Sequence, residues 1–256
     1  PMAKLTDKPS KRKRADLLLV DRGLAESRQQ AQTLIAEGLV FSRAGRVLKA
    51  SSILPGTDPL EVRGNLPYVS RGGLKLAHAL DNFKLAVEGF TVLDVGASTG
   101  GFTDCVLQRG AERVYALDVG HGQMAYKLRQ DSRVTVIEKC NARNPFELPE
   151  PVDLITIDVS FISLALVIPS AIQHLRHGSY VAALVKPQFE ARREDVGRGG
   201  VIKDPKIHAA VLSRMINWAI NAGLRVRKLC PSPILGNAGN REFFLLLQKP
   251  AIRSTK

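Results

Sequence analysis

The sequence predicts an α/β protein, in which a mostly parallel sheet with helices on both faces follows a small αβ module. Three observations lead to this prediction. Strands and helices alternate between residues 91 and 247, residues 63–72 are rich in Gly and Pro, and two short helices with short strands precede them. At 256 residues the chain is long enough for one full core and a smaller second one.

The small module is predicted at residues 13–62 and begins with two helices. Gly23 ends the first helix, 15–22, because glycine readily adopts the left-handed conformation found after helix ends. Ser27 starts the second, since its hydroxyl can accept from first-turn amides while Gln30 reaches back. Three short strands are predicted after these helices, at 39–41, 47–48 and 60–62.

The large domain is predicted at residues 73–250, after a linker at 63–72. Its seven strands are expected at 91–95, 113–118, 134–137, 152–158, 181–186, 226–230 and 242–247, with helices at 102–109, 164–175 and 205–221 among them. Residues 187–200 carry charges and glycines with little periodicity, and we interpret them as a lid over a site in preference to a plain surface loop. The ends of the chain, 1–12 and 251–256, are expected to be tails, the first of them basic and disordered.

The charge balance predicts a polyanionic partner. The chain has 37 Lys and Arg against 24 Asp and Glu, a net charge of +13, and nucleic acid is the commonest polyanion in a cell. Its three cysteines form no CxxC pair and argue against a disulfide framework, so we expect a cytoplasmic protein. No apolar run approaches the ~20 residues needed to cross a bilayer, and no secretory signal is recognisable.

A glycine-rich loop follows the first strand of the large domain, where residues 94–101 have the sequence D-V-G-A-S-T-G-G. Glycines let the backbone approach a ligand closely, but the G-x-G-x-x-G of dinucleotide sites and the GKS or GKT of P-loops are both absent from the sequence. Asp118 ends the next strand, where a carboxylate can accept both hydroxyls of a ribose, and Asn141 follows the third strand, where it can meet an adenine ring. An adenosine site without diphosphate features predicts S-adenosylmethionine as the cofactor.

This loop resembles that of the class I S-adenosylmethionine-dependent methyltransferases, which have a Rossmann-like, seven-stranded, mostly parallel sheet. The RrmJ/FtsJ-like branch, which methylates ribose, has D-L-G-A-x-P-G-G-W; here Thr99 replaces the proline and Phe102 the tryptophan. These departures concern the shape of the loop more than the ligand. The cofactor contacts that we predict from the resemblance and from the strand ends are Gly96, Ser98, Thr99, Gly100, Phe102, Asp118, Asn141 and Asp158.

Four charged residues are predicted where a helix or strand meets the sheet edge. Asp158 and Lys186 end neighbouring strands, Glu242 begins the last strand, and Lys75 lies in the helix after the linker. Methylation of a ribose hydroxyl requires removal of its proton, which a lysine can do when burial and a second lysine nearby favour the neutral amine. The order matches the K-D-K-E tetrad of ribose 2′-O-methyltransferases. The resemblance implies that Lys186 is the base, that Asp158 orients it, and that Lys75 and Glu242 position the hydroxyl.

Other methyltransfer chemistries fit the same positions less well. Enzymes that methylate amino groups have D/N-P-P-Y/F after the fourth strand, where this chain has D-V-S-F at 158–161. Cys140 and Cys230 lack the Pro-Cys context of cytosine C5 enzymes, which use a cysteine nucleophile. The five histidines have no metal-ligand spacing with Cys or Asp, so no metal is predicted.

The small module resembles the S4 RNA-binding domain through its G-L-x-x-S-R and L-I-x-x-G-x-V segments and the lysine beyond the following turn. The resemblance implies RNA contacts by Ser27, Arg28, Gln29 and Lys49, with Arg14, Arg43 and Arg46 as further phosphate contacts.

An S4-like module followed by a domain with this tetrad is similar to the TlyA family throughout its length. The resemblance implies 2′-O-methylation of cytidine in ribosomal RNA of the large and, in some members, the small subunit. Ribosomal RNA or ribosomal subunits would be the partners. Two alternatives remain: a membrane-lytic protein, because members are also called hemolysins, and an rRNA-binding assembly factor without catalysis. The sequence does not indicate the modified nucleotide, the oligomeric state or the relative placement of the two domains.

Overall fold

The computed structural model describes residues 12–25, 27–36, 38–64, 67–197, 199–236 and 239–252. The predicted tails lie almost entirely outside these ranges. The chain divides into two compact units, Pro1–Ser70 and Arg71–Lys256. This division falls within the predicted linker, and the bounds of the S4-like domain stay a prediction.

In its described residues the first unit has two helices and two small sheets. Its elements are β1 (Lys13–Arg14), α1 (Ala15–Asp21), α2 (Arg28–Ala36), β2 (Val40–Ser42), β3 (Gly45–Arg46), β4 (Ile53–Leu54) and β5 (Glu61–Val62). Strand β2 pairs antiparallel with both β3 and β5, and β1 pairs antiparallel with β4. The two helices pack on β2 through a buried apolar cluster that includes Leu19, Ile35 and Val40.

Helix α2 begins as predicted, because the Ser27 hydroxyl accepts from the amide of Gln30 at 3.1 Å. The strand predicted at 47–48 is wrong: the ladder pairs Ser42 directly with Gly45, so the returning strand starts two residues earlier. The pairing of β1 with β4 was not predicted, because two-residue strands leave no alternating pattern to read.

The second unit has one seven-stranded sheet with helices between its strands. Its elements are α3 (Gly72–Phe83), β6 (Thr91–Val95), α4 (Gly101–Gln108), β7 (Arg113–Leu117), α5 (Tyr126–Arg129), β8 (Val134–Ile137), β9 (Val152–Ile157), α6 (Leu164–Ala171), β10 (Leu175–Val185), α7 (Pro187–Glu190), α8 (Pro205–Asn221), β11 (Arg225–Pro231) and β12 (Phe243–Gln248). The strand order is β11-β12-β10-β9-β6-β7-β8, and β12 is antiparallel to both of its neighbours. The other described pairings, from β10 to β8, are parallel, which confirms the predicted mostly parallel sheet.

Two predicted boundaries in this unit are wrong. Helix α6 ends at Ala171 rather than at 175, and β10 begins at Leu175 rather than at 181. A 3₁₀ turn separates them, and the Lys249 ammonium donates to the carbonyls of Ile172 and Leu175 at 2.9 and 2.7 Å. This distant lysine stabilises the end of the helical segment, and local sequence does not reveal it.

The fold brings the ends of β6, β7, β8, β9 and β10 to one edge of the sheet, because parallel strands end on the same side. The interior strand β6 is buried along its whole length, which is typical of a sheet covered on both faces. Within the described part of the chain, no helix is both long enough and apolar enough to cross a membrane.

Candidate active site

The glycine-rich loop at the end of β6 has a backbone that few residues other than glycine can adopt. Gly96 has φ +81°, and a Cβ added there would lie 2.5 Å from the carbonyl oxygen of Asp158. Ser98 also has a positive φ, 47°, which is uncommon for a residue with a side chain. The loop is therefore held in a strained form against the neighbouring strand end, as is often found at ligand sites.

Asp118 fixes this loop from the next strand. Its Oδ2 accepts from the amide of Ser98 at 2.8 Å, and its Oδ1 accepts from the amide of Gly120 at 2.6 Å. A carboxylate has acceptor capacity beyond two such bonds, so both oxygens can also accept from ribose hydroxyls. Asp118, the residue predicted to bind a ribose, thus lies beside the glycine-rich loop.

The start of α4 closes the loop. Gly100, at φ +93°, precedes the helix, and its amide donates to Ala97 while the carbonyl of Thr99 accepts from Ala125. Phe102 is 3% exposed and its ring centre lies 5.8 Å from that of Phe244, so the ring supports the helix from within the core. A cofactor contact by Phe102 stays a prediction.

A buried carboxylate lies beneath the same loop. Asp94 accepts from the Thr103 hydroxyl at 2.7 Å and from the Thr156 hydroxyl at 2.9 Å, and so connects β6 to α4 and β9. Burial, offset in part by these two hydroxyls, raises the pKa of Asp94 to about 6. This aspartate is a structural support of the loop rather than a ligand.

The segment after β8 borders Asp118. The amide of Cys140 donates to the carbonyl of Asp118 at 3.0 Å, and that of Lys139 donates to Gly120 at 3.1 Å. Asn141 follows directly and is exposed, and its side-chain oxygen accepts from the amide of Arg143 at 3.0 Å. Asn141 is thus on the Asp118 side of the sheet edge, in agreement with an adenine contact.

Lys186 and Asp158 form a close ion pair at the ends of β10 and β9. Nζ lies 2.6 Å from Asp158 Oδ1, with the two side chains 11% and 22% exposed. The donated hydrogen bond of Nζ goes to the Ser160 hydroxyl at 2.8 Å. Lys186 is therefore held by two groups that follow the same strand, and Ser160 is a contact that sequence reasoning did not identify.

Lys75 and Glu242 form the second pair, which is more deeply buried. Nζ lies 2.6 Å from Glu242 Oε2, and the side chains are 12% and 3% exposed. A side chain at Gly236 would overlap Glu242 Oε1, so the site leaves space for the carboxylate alone. This contact joins α3 to the residue just before β12.

Strand register brings the two pairs together. Val185 is opposite Phe243 in the antiparallel pairing of β10 with β12, so the next position along places Lys186 opposite Glu242. Residues opposite each other in such a ladder have Cα atoms about 4.5–5.5 Å apart. The four residues predicted as a tetrad therefore lie at one edge of the sheet, each at or just beyond the end of its strand or on the helix that contacts it.

An aromatic pair that was not predicted is formed by Phe161, three residues after Asp158, and Phe189, three residues after Lys186. Phe161 is 91% exposed and has φ +63°, and its ring centre is 4.9 Å from that of Phe189 in α7. Strained backbone conformations of this kind cost about 1–3 kcal/mol and cluster at functional sites. The signal in the sequence was the D-V-S-F segment, which we had used only to exclude amino-methylating enzymes.

The RNA-contact residues predicted in the first unit fall into two groups. Arg14 and Arg28 both donate to Asp16, which is fully buried, at 2.8–3.0 Å, and the Arg14 guanidinium holds the pKa of Asp16 well below its usual range. The Arg46 guanidinium lies 5.8 Å from the ring centre of Phe41. These arginines are oriented by the fold, with Arg28 still about half exposed.

The remaining predicted RNA contacts lie on the surface or at the start of α2. Arg43 and Lys49 are exposed, Gln29 is half-buried in the first turn of α2, and Ser27 caps that helix. Across the described ranges, no three His, Cys, Asp or Glu residues cluster as they would around a metal ion.

The chain is similar in sequence and structure to methyltransferases and to proteins described as hemolysins. The sequence model of the FtsJ-like methyltransferase family matches residues 68–249. YqxC of Bacillus subtilis, whose name gives rRNA methyltransferase as a provisional activity, is 50% identical over 94% of this chain and 87% of that protein. The 16S/23S rRNA (cytidine-2′-O)-methyltransferase TlyA of Mycobacterium tuberculosis is 43% identical over 96% of this chain and 93% of that protein. A solved structure from Streptococcus thermophilus, described provisionally as a hemolysin, has a TM-score of 0.73 and 44% identity, covering 93% of this chain and 89% of that one.

Proposed function

Because the chain belongs to the FtsJ-like methyltransferase family, we propose that it methylates the 2′-hydroxyl of cytidine in ribosomal RNA, with S-adenosylmethionine as the methyl donor. The substrate in this proposal comes from relatives such as TlyA of Mycobacterium tuberculosis, whose name states this reaction. The observation that supports it most is that two lysine–carboxylate pairs lie at one edge of the sheet. In each pair, Nζ is 2.6 Å from a carboxylate oxygen.

The residues at this edge fit S-adenosylmethionine. Asp118 can accept from the ribose hydroxyls while its carboxylate also holds the loop, and the backbone at Gly96 leaves no side chain between ligand and strand. Asn141 is on the side where an adenine would lie. When bound, S-adenosylmethionine supplies a methyl group on a positively charged sulfur.

Lys186 is the base in this proposal and accepts the proton of the ribose 2′-hydroxyl. The Asp158 carboxylate, 2.6 Å from Nζ, is placed to pair with the ammonium that this transfer produces. RNA that covers the site removes water from around Nζ and so strengthens the electrostatic contacts there. Asp158 and Ser160 then hold Nζ in place, and the proton finishes on a lysine that already has a carboxylate partner.

Lys75 and Glu242 have a positioning role. Glu242 is opposite Lys186 one position beyond the β10–β12 ladder, and its buried ion pair with Lys75 holds that ammonium at the same edge of the sheet. A positive group there can donate to the ribose oxygen as it loses its proton.

Exposed rings and oriented arginines can hold the RNA. Phe161 offers a face on which a nucleobase can stack, an interaction worth about 1–3 kcal/mol per base. In the first unit, Arg14 and Arg28 are held by Asp16 and can reach phosphates. We expect the double replacement of Arg14 and Arg28 with Ala to weaken binding of ribosomal RNA by at least tenfold and to leave cofactor binding unchanged.

Labelling with tritiated S-adenosylmethionine tests the proposal. Purified protein should transfer label to ribosomal RNA in isolated subunits, and both Lys186→Ala and Lys186→Arg should lower this transfer at least a hundredfold. Arginine keeps the charge but cannot act as a base, so it separates the two roles. Lys203→Ala, which removes an exposed lysine, is the matched control and should keep full activity.

The contrary outcomes are distinct. Label that persists in Lys186→Arg excludes Lys186 as the base, although the methyltransferase activity would stand. Tight RNA binding by the wild type without any transfer would favour an assembly factor instead. Leakage of liposomes at physiological salt, caused by pure protein, would favour the membrane-lytic alternative.

A further inference from the structure

We propose that Glu190 is a positioning residue for the catalytic site: its carboxylate ties the turn that follows Lys186 to the loop that follows Asp158, and so fixes the lysine relative to its aspartate. This inference rests on the function proposed above. It concerns a residue four positions after the base, in the short helix α7, to which the sequence assigned no role.

Both oxygens of the Glu190 carboxylate are used. Oε2 accepts from the Ser163 hydroxyl at 2.6 Å, and Oε1 accepts from the amide of Leu164 at 2.7 Å. The main-chain carbonyl of Glu190 accepts from the Arg214 guanidinium at 2.5 Å, which holds this residue from α8 as well. The contacts join three elements that are far apart in the sequence.

These contacts restrict the positions of both members of the catalytic ion pair, Lys186 and Asp158. Lys186 is the residue that precedes α7, and the amide of Phe189 donates back to its carbonyl at 2.9 Å, so α7 is a single turn built directly on the lysine. Asp158 and Ser160, the two partners of the lysine amine, lie in the short loop that ends at Ser163. A bridge from Glu190 to Ser163 therefore closes a ring that contains Lys186 and both of its partners.

The bridge is not needed simply to start α6. The Ser163 hydroxyl already caps that helix by accepting from the amide of Ala165 at 3.2 Å. The Glu190 carboxylate is partly buried at the same helix end, which has a desolvation cost. Burial accordingly raises the pKa of Glu190. Its contacts to Ser163 and Leu164 offset this cost, and their effect is to fix one loop against the other.

The expected consequence is a loss of rate rather than of binding. Misplacement by about 1 Å of a group that acts in the reaction can cost on the order of a hundredfold. We expect Glu190→Ala to lower kcat by about ten- to a hundredfold, with the KM values for S-adenosylmethionine and RNA within threefold of the wild type. Glu190→Gln should recover much of the rate, because its oxygen can still accept from Leu164 and the Ser163 hydroxyl can reverse its role.

The test measures kcat and both KM values for the full chain with ribosomal subunits and tritiated S-adenosylmethionine, in parallel with hydrogen exchange of the peptides that contain Leu164 and Phe189. Glu194→Ala is the matched control, because this glutamate lies in the same segment and its side chain is 74% exposed. In Glu190→Ala, faster exchange in both peptides together with the selective fall in kcat supports the proposal, while Glu194→Ala should match the wild type in both measurements.

Three outcomes would overturn it: an unchanged kcat in Glu190→Ala, a raised KM at constant kcat, or a lower melting temperature with full rate per folded molecule. A wild type without transfer refutes the proposed function instead, and the exchange data then still report whether Glu190 joins the two loops. Failure of this inference is thus separable from failure of the reaction.

Discussion

Replacement of Glu242 by glutamine removes the charge that neutralises Lys75 and preserves the shape of the site. At 2.6 Å and an effective dielectric constant of about 20, the attraction between the two charges is roughly 6 kcal/mol before desolvation is subtracted. Removal of one partner of a buried pair typically costs about 3–5 kcal/mol. We take about 3 kcal/mol for Glu242→Gln, since the amide still accepts one hydrogen bond. For a unit of this size, that loss lowers the melting temperature by about 6–12 °C.

A second replacement, Lys75→Met, tests whether the Lys75–Glu242 pair is needed for methyl transfer or only for stability. Lys75→Met keeps the aliphatic stem, and in the double variant with Glu242→Gln no buried charge is left alone. We expect the double variant to melt within about 3 °C of the wild type, while its methyl transfer stays at least a hundredfold lower. Calorimetry and the labelling assay measure both quantities on the same samples. A double variant that is as unstable as the sum of the single ones, or one that is fully active, refutes the reasoning.

Two further predictions concern the glycine-rich loop and its support. Gly96→Ala should abolish cofactor binding in calorimetric titration, because the methyl group overlaps the carbonyl of Asp158, whereas Gly122→Ala, with a positive φ but open space, should bind within a few-fold of the wild type. Asp94 has its pKa raised from 3.8 to about 6 in the folded state, so the folded state binds more protons and stability falls as pH rises across that window. The wild type should lose about 2 kcal/mol relative to Asp94→Asn between about pH 4 and pH 6, out of about 3 kcal/mol over the whole titration, and parallel stability profiles for the two proteins would contradict this.

The sequence predicted those parts of the fold that follow a regular apolar pattern or that lie at the end of a single strand. Strands β6, β9 and β10 and the glycine-rich loop were predictable because buried parallel strands form continuous apolar runs that end at polar residues. Asp118, Asp158 and Lys186 were each placed correctly at a strand end, because each is the polar residue that directly follows an apolar run.

What could not be predicted depends on residues far apart in the chain. The contact of Lys249 with the end of α6 and the bridge from Glu190 to Ser163 join segments that are separated by many residues. Phe161 has a positive φ and an exposed ring, and no periodicity in the sequence indicates either. Such contacts require the packed structure, because a side chain several elements away determines them.

The most direct test is the chemical identity of the product. Ribosomal subunits that lack the modification are incubated with the protein and S-adenosylmethionine, and the RNA is then digested to nucleosides and analysed by mass spectrometry. A site in which Lys186 removes the proton of a ribose hydroxyl predicts 2′-O-methylcytidine, formed by the wild type and absent with Lys186→Ala. A methyl group on a base, or no methylated nucleoside from an RNA that the protein binds tightly, would contradict the account.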